Sequence, residues 1–246
     1  MVQVAKPPLL SRERALEKMN AHHGGDPDKL TDIVRSATLF DRHEDLYGAL
    51  EDYQTESDVV DVQDRIAKPT PMGYGDVRLY IRTSSGQIST VRLLLDPIVE
   101  GKAGAHKLYE ELLYGLALAD FHDSKSNDGG AVLAIDMFNY MDDDSVTLIT
   151  GFPSLTDAHE YARRRTRDSV EEMRTIDEDE DNLRWLWLVC GEDCIALGLG
   201  TGEIWRGYSE LESFLESPAS ATERDWMTFG QQFDLRAEPF AWAESE

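Results

Sequence analysis

The chain has 246 residues, 41% of them hydrophobic, with 48 acidic side chains against 24 basic ones and a net charge of −24. That length accommodates one large domain or two small ones, and the composition supports a packed core. An acidic surface lacks the cationic footprint that duplex nucleic acid requires, and no apolar run reaches the roughly 20 residues of a membrane span.

Most of the bases are arginine and lysine is scarce, a balance that fits adaptation to high salt as well as an ordinary acidic cytoplasmic protein. The first ten residues lack the apolar core of a signal peptide, so a cytoplasmic location is expected. Cys190 and Cys194 are too few for a disulfide framework, and a Cys-x₃-Cys pair alone makes a poor zinc site. Charge is unevenly spread. Residues 1–115 hold 14 Lys+Arg and 19 Asp+Glu, a net of −5, which leaves −19 for the remainder. The less acidic half is therefore the better place for an anionic ligand.

In chain order, Pro7-Pro8 marks an irregular arm, and Ser11 can cap a helix from about Arg12 to Ala21. Arg12, Arg14 and Lys18 on that helix are basic, either facing a phosphate or paired with Glu13 and Glu17. Asp32 and Arg35 precede a buried strand, Ser36–Phe40. Asp41 is the expected cap of a helix reaching about Tyr53, with Leu46, Tyr47, Leu50 and Tyr53 on one face. Ser57–Ile66 reads as a strand, with Val60 and Val62 facing the same way. Asp76–Thr83 alternates Val77, Leu79 and Ile81 against Arg78, Tyr80 and Arg82. Ser84-Ser85-Gly86 turns it into a partner strand, Gln87–Leu95. A helix is expected from Pro97 or Gly104 to about Leu118.

The order from Gln63 to Tyr109 resembles the synthetase domain of the RelA/SpoT family. Arg65 and Lys68 stand before a Pro69-Thr-Pro-Met-Gly-Tyr74 turn, two alternating strands follow, and Ala105-His106-x-x-Tyr109 begins a helix. The likeness covers roughly residues 10–112. It implies a mixed α/β sheet of the nucleotidyltransferase kind and transfer of pyrophosphate from ATP to GDP or GTP. Within it, Arg12, Arg14, Lys18, Arg35, Arg65, Lys68, Arg78 and Arg92 become candidate phosphate-handling cations. Gly73 permits close backbone approach, and Tyr74 becomes the ring that stacks on a purine, its alternative being a turn aromatic over the sheet edge. Asp32 matches an Mg²⁺ ligand. The resemblance makes His106 a structural residue. The family's strand carries a catalytic Glu where this chain has Thr90, which cannot act as a base or supply metal-binding charge. Asp76 is the candidate substitute, which makes Asp32 and Asp76 the candidate catalytic pair.

The second half shows no chemistry of its own. His122–Gly130 is a polar boundary, so the expected domains are 1–120 and 131–246 with a linker at 121–130. The second is a small α+β domain through which a protein partner could bind. Asp142–Asp144 reads as a solvated hairpin tip. Ser154 caps a helix with an inward stripe of Leu155, Ala158, Tyr161, Ala162, Val170 and Met173. Arg163, Arg164, Arg165 and Arg167 are set against Asp177–Asp181 as ion-pair partners or offered to a ligand. Leu183–Cys190 and Cys194–Leu199 read as a strand hairpin, and the tail from Gln231 as loosely held. The leading expectation is a degenerate purine-nucleotide sensor or regulator. The alternatives are an active, toxin-like pyrophosphokinase using Mg²⁺ and a scaffold that retains only the fold.

Overall fold

The computed structural model describes residues 3–122, 129–199 and 201–240. The chain divides into two compact units, Met1–Gly104 and Ala105–Glu246. Most of the linker expected at 121–130 lies outside the described residues, and the division itself falls within a helix, α3 (Asp96–His122).

The first unit is built on a five-stranded mixed sheet of order β1-β2-β5-β4-β3. Its strands are β1 (Gln3–Ala5), β2 (Arg35–Phe40), β3 (Val59–Asp64), β4 (Val77–Arg82) and β5 (Ile88–Leu95). β2 and β5 run parallel, and the other pairs are antiparallel. The β4–β5 hairpin turns at Gly86, whose φ of 88° is a conformation glycine adopts without strain.

Alternation sends Val77 and Leu79 on β4, and Val91, Leu93 and Leu95 on β5, to one side of this sheet. There they pack on Leu46, Tyr47, Leu50 and Tyr53 of α2 (His43–Glu56). Burying a Leu or Val side chain of this kind contributes about 1.5–3 kcal/mol. α2 begins at His43 with Arg42 at the cap position and no side-chain capping bond, so Asp41 is not its cap. Val60 is exposed, contrary to the expected alternation. A bulge between Val59 and Asp61 shifts the register by one residue and turns Val60 away from the core.

The opposite face of the same sheet mixes apolar residues such as Ala37, Leu39 and Leu94 with charged ones. Arg35 stands opposite Thr90, Thr90 opposite Tyr80, and Arg92 opposite Arg78. These are the residues between the core-facing ones, and they carry the charge.

The second unit has a five-stranded sheet of order β10-β7-β6-β8-β9. Its elements are β6 (Gly129–Asp136), β7 (Val146–Phe152), α4 (Leu155–Arg174), α5 (Glu180–Cys190), β8 (Glu192–Leu199), β9 (Ile204–Arg206), α6 (Leu211–Glu216), α7 (Trp226–Gly230) and β10 (Arg236–Pro239). Ser154 caps α4 by accepting from the Asp157 amide, and the stripe of Ala158, Tyr161 and Ala162 covers Val132, Ala134 and Ile149 of the sheet. Leu183–Cys190 is a helix and not the expected strand. Asp179 accepts from the Asn182 amide at its start, and Leu183, Leu186, Trp187 and Cys190 recur at helical spacing and are buried. Up to residue 240 the tail is not loosely held, and residues 241–246 lie outside the described residues. β10 pairs with β7 from Arg236↔Thr150 to Pro239↔Thr147, and Phe240 is buried beyond it.

The four arginines of α4 do form ion pairs, but not with Asp177–Asp181. Arg163 reaches Glu210, Arg164 reaches Glu160, Arg165 grips Glu192 with two bonds, and Arg167 reaches Glu223. A 20-residue helix points its long side chains at the segments packed beside it, and here those are the α6 region and the start of β8. Among the described residues no helix is long and apolar enough to cross a membrane.

Candidate functional site

The basic edge of the first unit is assembled from two helix turns and one strand start. Ser11 accepts from the Arg14 amide and opens α1 (Arg12–His23). Arg14 and Lys18 lie four residues apart on one face and both are buried, while Arg12 is exposed. Lys18 Nζ donates to Asp32 Oδ2 at 2.7 Å, an ion pair almost entirely out of water. Arg35 begins β2 and is also buried.

The Gly-Tyr turn is held by its own backbone. The Gly73 amide donates to the Thr70 carbonyl, the Thr70 amide to the Tyr74 carbonyl, and the Tyr74 amide to Thr70 Oγ1. Gly73 has a φ of +81°, which explains glycine there. Gly75 is excluded from larger residues for another reason, because a Cβ would lie 2.9 Å from the Arg65 carbonyl oxygen.

This turn delivers Tyr74 and Asp76 inward. Tyr74 is 7% exposed, so its ring is not an open platform for a base. Arg65 and Arg92 sit 5.5 and 5.6 Å from the ring centroid, and Arg92 Nη2 donates to the phenolic oxygen. Burial pushes the Tyr74 hydroxyl up to about 12 despite the nearby arginines. Arg65 Nε donates to Asp76 Oδ1 at 2.6 Å, and Arg92 Nε donates to Asp76 Oδ2. Burial alone raises the Asp76 carboxyl, but Arg92, Arg65 and Arg78 outweigh it and hold the group well below the usual carboxylate range. Asp76 is thus an ionised counter-ion with both oxygens engaged.

Thr90 is buried and its hydroxyl donates to the Thr31 carbonyl at 2.8 Å. It lines a cleft of about 270 Å³ together with Lys6, Leu9, Arg35, Ser36 and Ser89. Of the candidate cations, Arg35 borders this cleft. Arg65, Arg78 and Arg92 gather around Asp76, Arg14 and Lys18 are buried on α1, and Arg12 and Lys68 are exposed. The buried charged residues of this unit are Arg14, Lys18, Arg35, Arg78, Arg92 and Lys102 against Asp32 and Asp76. Such a positive interior favours an anion over a metal ion. Mg²⁺ takes hard carboxylate oxygens. Here Lys18 is bonded to Asp32 and two arginines are bonded to Asp76, while Thr90 adds no charge, so these side chains do not fit the ion as they stand.

Sequence reasoning missed Lys6, Ser36 and Ser89 as cleft residues. For Ser36 and Ser89 the signal was the register, because Thr90 on β5 stands opposite Arg35 on β2 and brings their neighbours together.

No protein-family profile matches the chain. Over 86 residues it is 31% identical to the (p)ppApp synthetase toxin Tas1 of Pseudomonas aeruginosa (strain UCBPP-PA14), a match covering 34% of this chain. Part of this chain is RelA/SpoT synthetase-like. The synthetase-like segment spans only 18% of the length of that curated relative. Among solved structures, Tas1 in complex with its immunity protein matches at 30% identity and a TM-score of 0.34, over 40% of this chain and 49% of the other. The small alarmone synthetase 1 of Bacillus subtilis, bound to its product pppGpp, matches at 19% identity and a TM-score of 0.37, over 45% and 62%. The 86-residue sequence match carries the likeness.

Proposed function

We propose that the first unit binds a purine nucleotide through its phosphates and no longer transfers pyrophosphate, so that the chain acts as a nucleotide sensor or regulator. The observation that carries this is Thr90. The position where the resemblance expects a catalytic carboxylate holds a buried hydroxyl tied to the Thr31 backbone, with Arg35 opposite it and the cationic sheet face beside it. Cations and hydrogen-bond donors suffice to bind phosphate, whereas transfer needs a group that activates the attacking hydroxyl. The cleft, at about 270 Å³, is at the small end for a ligand pocket and fits the phosphate–ribose part of a nucleotide. The base would lie outside it, because Tyr74 is sequestered.

Thermal shift with GDP, GTP, ADP and ATP, without Mg²⁺, tests the reading. A nucleotide-dependent rise in Tm that Arg35→Ala abolishes supports it. The absence of any shift at millimolar nucleotide would leave a scaffold with the fold alone.

The match to a (p)ppApp synthetase toxin favours a second reading, an active pyrophosphokinase with a toxin-like role and a protein partner such as the immunity protein with which Tas1 is complexed. It requires Asp32 to leave Lys18 and Asp76 to leave its arginines on binding Mg²⁺ and ATP. Chromatography after incubation with ATP, Mg²⁺ and GDP, GTP or ADP decides between the two, since product formation sinks the sensor reading.

A further inference from the structure

Among the described residues of the second unit, three metal-ligating side chains meet in the interior. They are His106 and Glu110 on α3 and Asp193 on β8. His106 and Glu110 are four residues apart on one helix, so they project from the same face one turn from each other. Asp193 is the second residue of a strand held between β6 and β9. All three are at most 1% exposed, and one ligand atom from each lies within 4.8 Å of the others. His106 Nε2 and Asp193 Oδ2 are 3.0 Å apart.

We propose that His106, Glu110 and Asp193 form a binding site for a divalent first-row transition metal, best matched by Zn²⁺. A neutral imidazole and two carboxylates offer one nitrogen, oxygen donors and a charge of −2, which a divalent cation cancels. The nitrogen argues against Mg²⁺ and Ca²⁺, which prefer oxygen alone. Zinc with bonds of about 2.0–2.2 Å places its ligand atoms about 3.3 Å apart, so the group must contract by about 1.5 Å at its widest, within the reach of rotation about the Glu110 side chain.

Two further observations bear on the site. Glu110 Oε1 is buried with no hydrogen-bond donor in reach among the described residues, and Arg206 Nε stands 3.9 Å from Oε2, beyond hydrogen-bond length. Finally, the surroundings are shaped closely around the group. Tyr208 and Tyr140 border the imidazole at 5.0 and 5.8 Å, and a Cβ on Gly207 would lie 2.4 Å from Asp193 Oδ1. The metal would tie α3 to β8 across 87 residues of sequence.

Because the ligand atoms are shut off from solvent, the ion must be loaded as the chain folds. The full chain is denatured with chelator, refolded with or without Zn²⁺, desalted, and measured for metal content and Tm. About one Zn²⁺ per chain is expected, with a rise in Tm of roughly 5–10 °C when zinc exceeds Kd by about a hundredfold. Glu110→Gln, which keeps shape and removes charge, should fold without metal yet lose both effects, and His106→Ala should lose them too. Stoichiometric zinc retained by both variants would assign the metal to other residues, such as the His22–His23 pair, and overturn the proposal. Refolded wild type with no bound zinc and an unchanged Tm would show a proton-sharing carboxyl network and overturn it as well.

Discussion

Arg92 and Asp76 form an ion pair in which neither side chain has any exposed surface, and the same guanidinium donates to the Tyr74 hydroxyl. Arg65 closes the group from the other carboxylate oxygen. One acid thus organises two cations and an aromatic ring, and the turn that the sequence marks as a nucleotide contact is held together by this internal charge. Removing the acid alone leaves buried positive charge without its counter-ion. Asp76→Ala should cost about 3–5 kcal/mol in a urea unfolding curve, while the double variant Asp76→Leu/Arg92→Met should recover part of that loss. A single variant as stable as wild type would show the pair to be unimportant.

The same carboxyl gives a pH dependence with a definite sign. Its folded pKa lies below the roughly 3.9 of an unfolded Asp, so the folded state binds fewer protons there. Its contribution is fully present above about pH 4 and is lost as pH falls through the range below that. In Asp76→Asn, the fall of stability with acidification below about pH 4 should be shallower than in wild type by up to about 1.4 kcal/mol per pH unit. Equal slopes in urea titrations from pH 5 to 2.5 would contradict this.

Thr90 and Arg35 separate structure from binding. Thr90→Ala removes the donor to the Thr31 carbonyl and should cost about 1 kcal/mol of stability while leaving nucleotide affinity within about twofold. Arg35→Ala, which removes the cation bordering the cleft, should weaken binding by about tenfold or more. Calorimetric titration with GTP alongside urea unfolding measures both. The reverse ranking of affinities would move the phosphate site away from this cleft.

The α4 arginines divide by burial. Arg165 is 2% exposed, is bidentate to Glu192, and lies 4.7 Å from the Trp226 ring centroid. Arg165→Ala should cost about 3–5 kcal/mol. Arg164, partly exposed and paired to Glu160 one turn away, should cost no more than about 1 kcal/mol on the same change. Similar losses from the two would show that solvent access does not set the value of these pairs.

The parts of the fold legible in the sequence were those written in local periodicity. β4 and β5 alternate cleanly, Gly86 marks their turn, and Ser11 and Ser154 announce their helices. α5 was misread because Trp185-Leu-Trp-Leu-Val-Cys190 is rich in strand formers, although the Asp179 cap and the Leu183, Leu186, Trp187, Cys190 spacing carried the helix. β10 escaped notice because its ladder partner, β7, lies about ninety residues earlier in the chain. The candidate site was half visible. The cations, Thr90 and the turn stood out locally, but nothing local said that Arg92, 18 residues on, would bond the Tyr74 hydroxyl and remove the ring from view. Asp193 was unreadable as a partner of His106 for the same reason, and only the His-x₃-Glu spacing hinted at a shared helix face.

The late pairing of β10 with β7 also protects the molecule from its own copies. With Arg236–Pro239 in place, the β7 edge has its hydrogen-bonding groups satisfied by this same chain. Proteolytic clipping just before Arg236 would bare Val146–Phe152, an apolar edge ready to recruit a strand from a neighbouring molecule. The outer edge of β7 is thus covered by the four residues Arg236–Pro239.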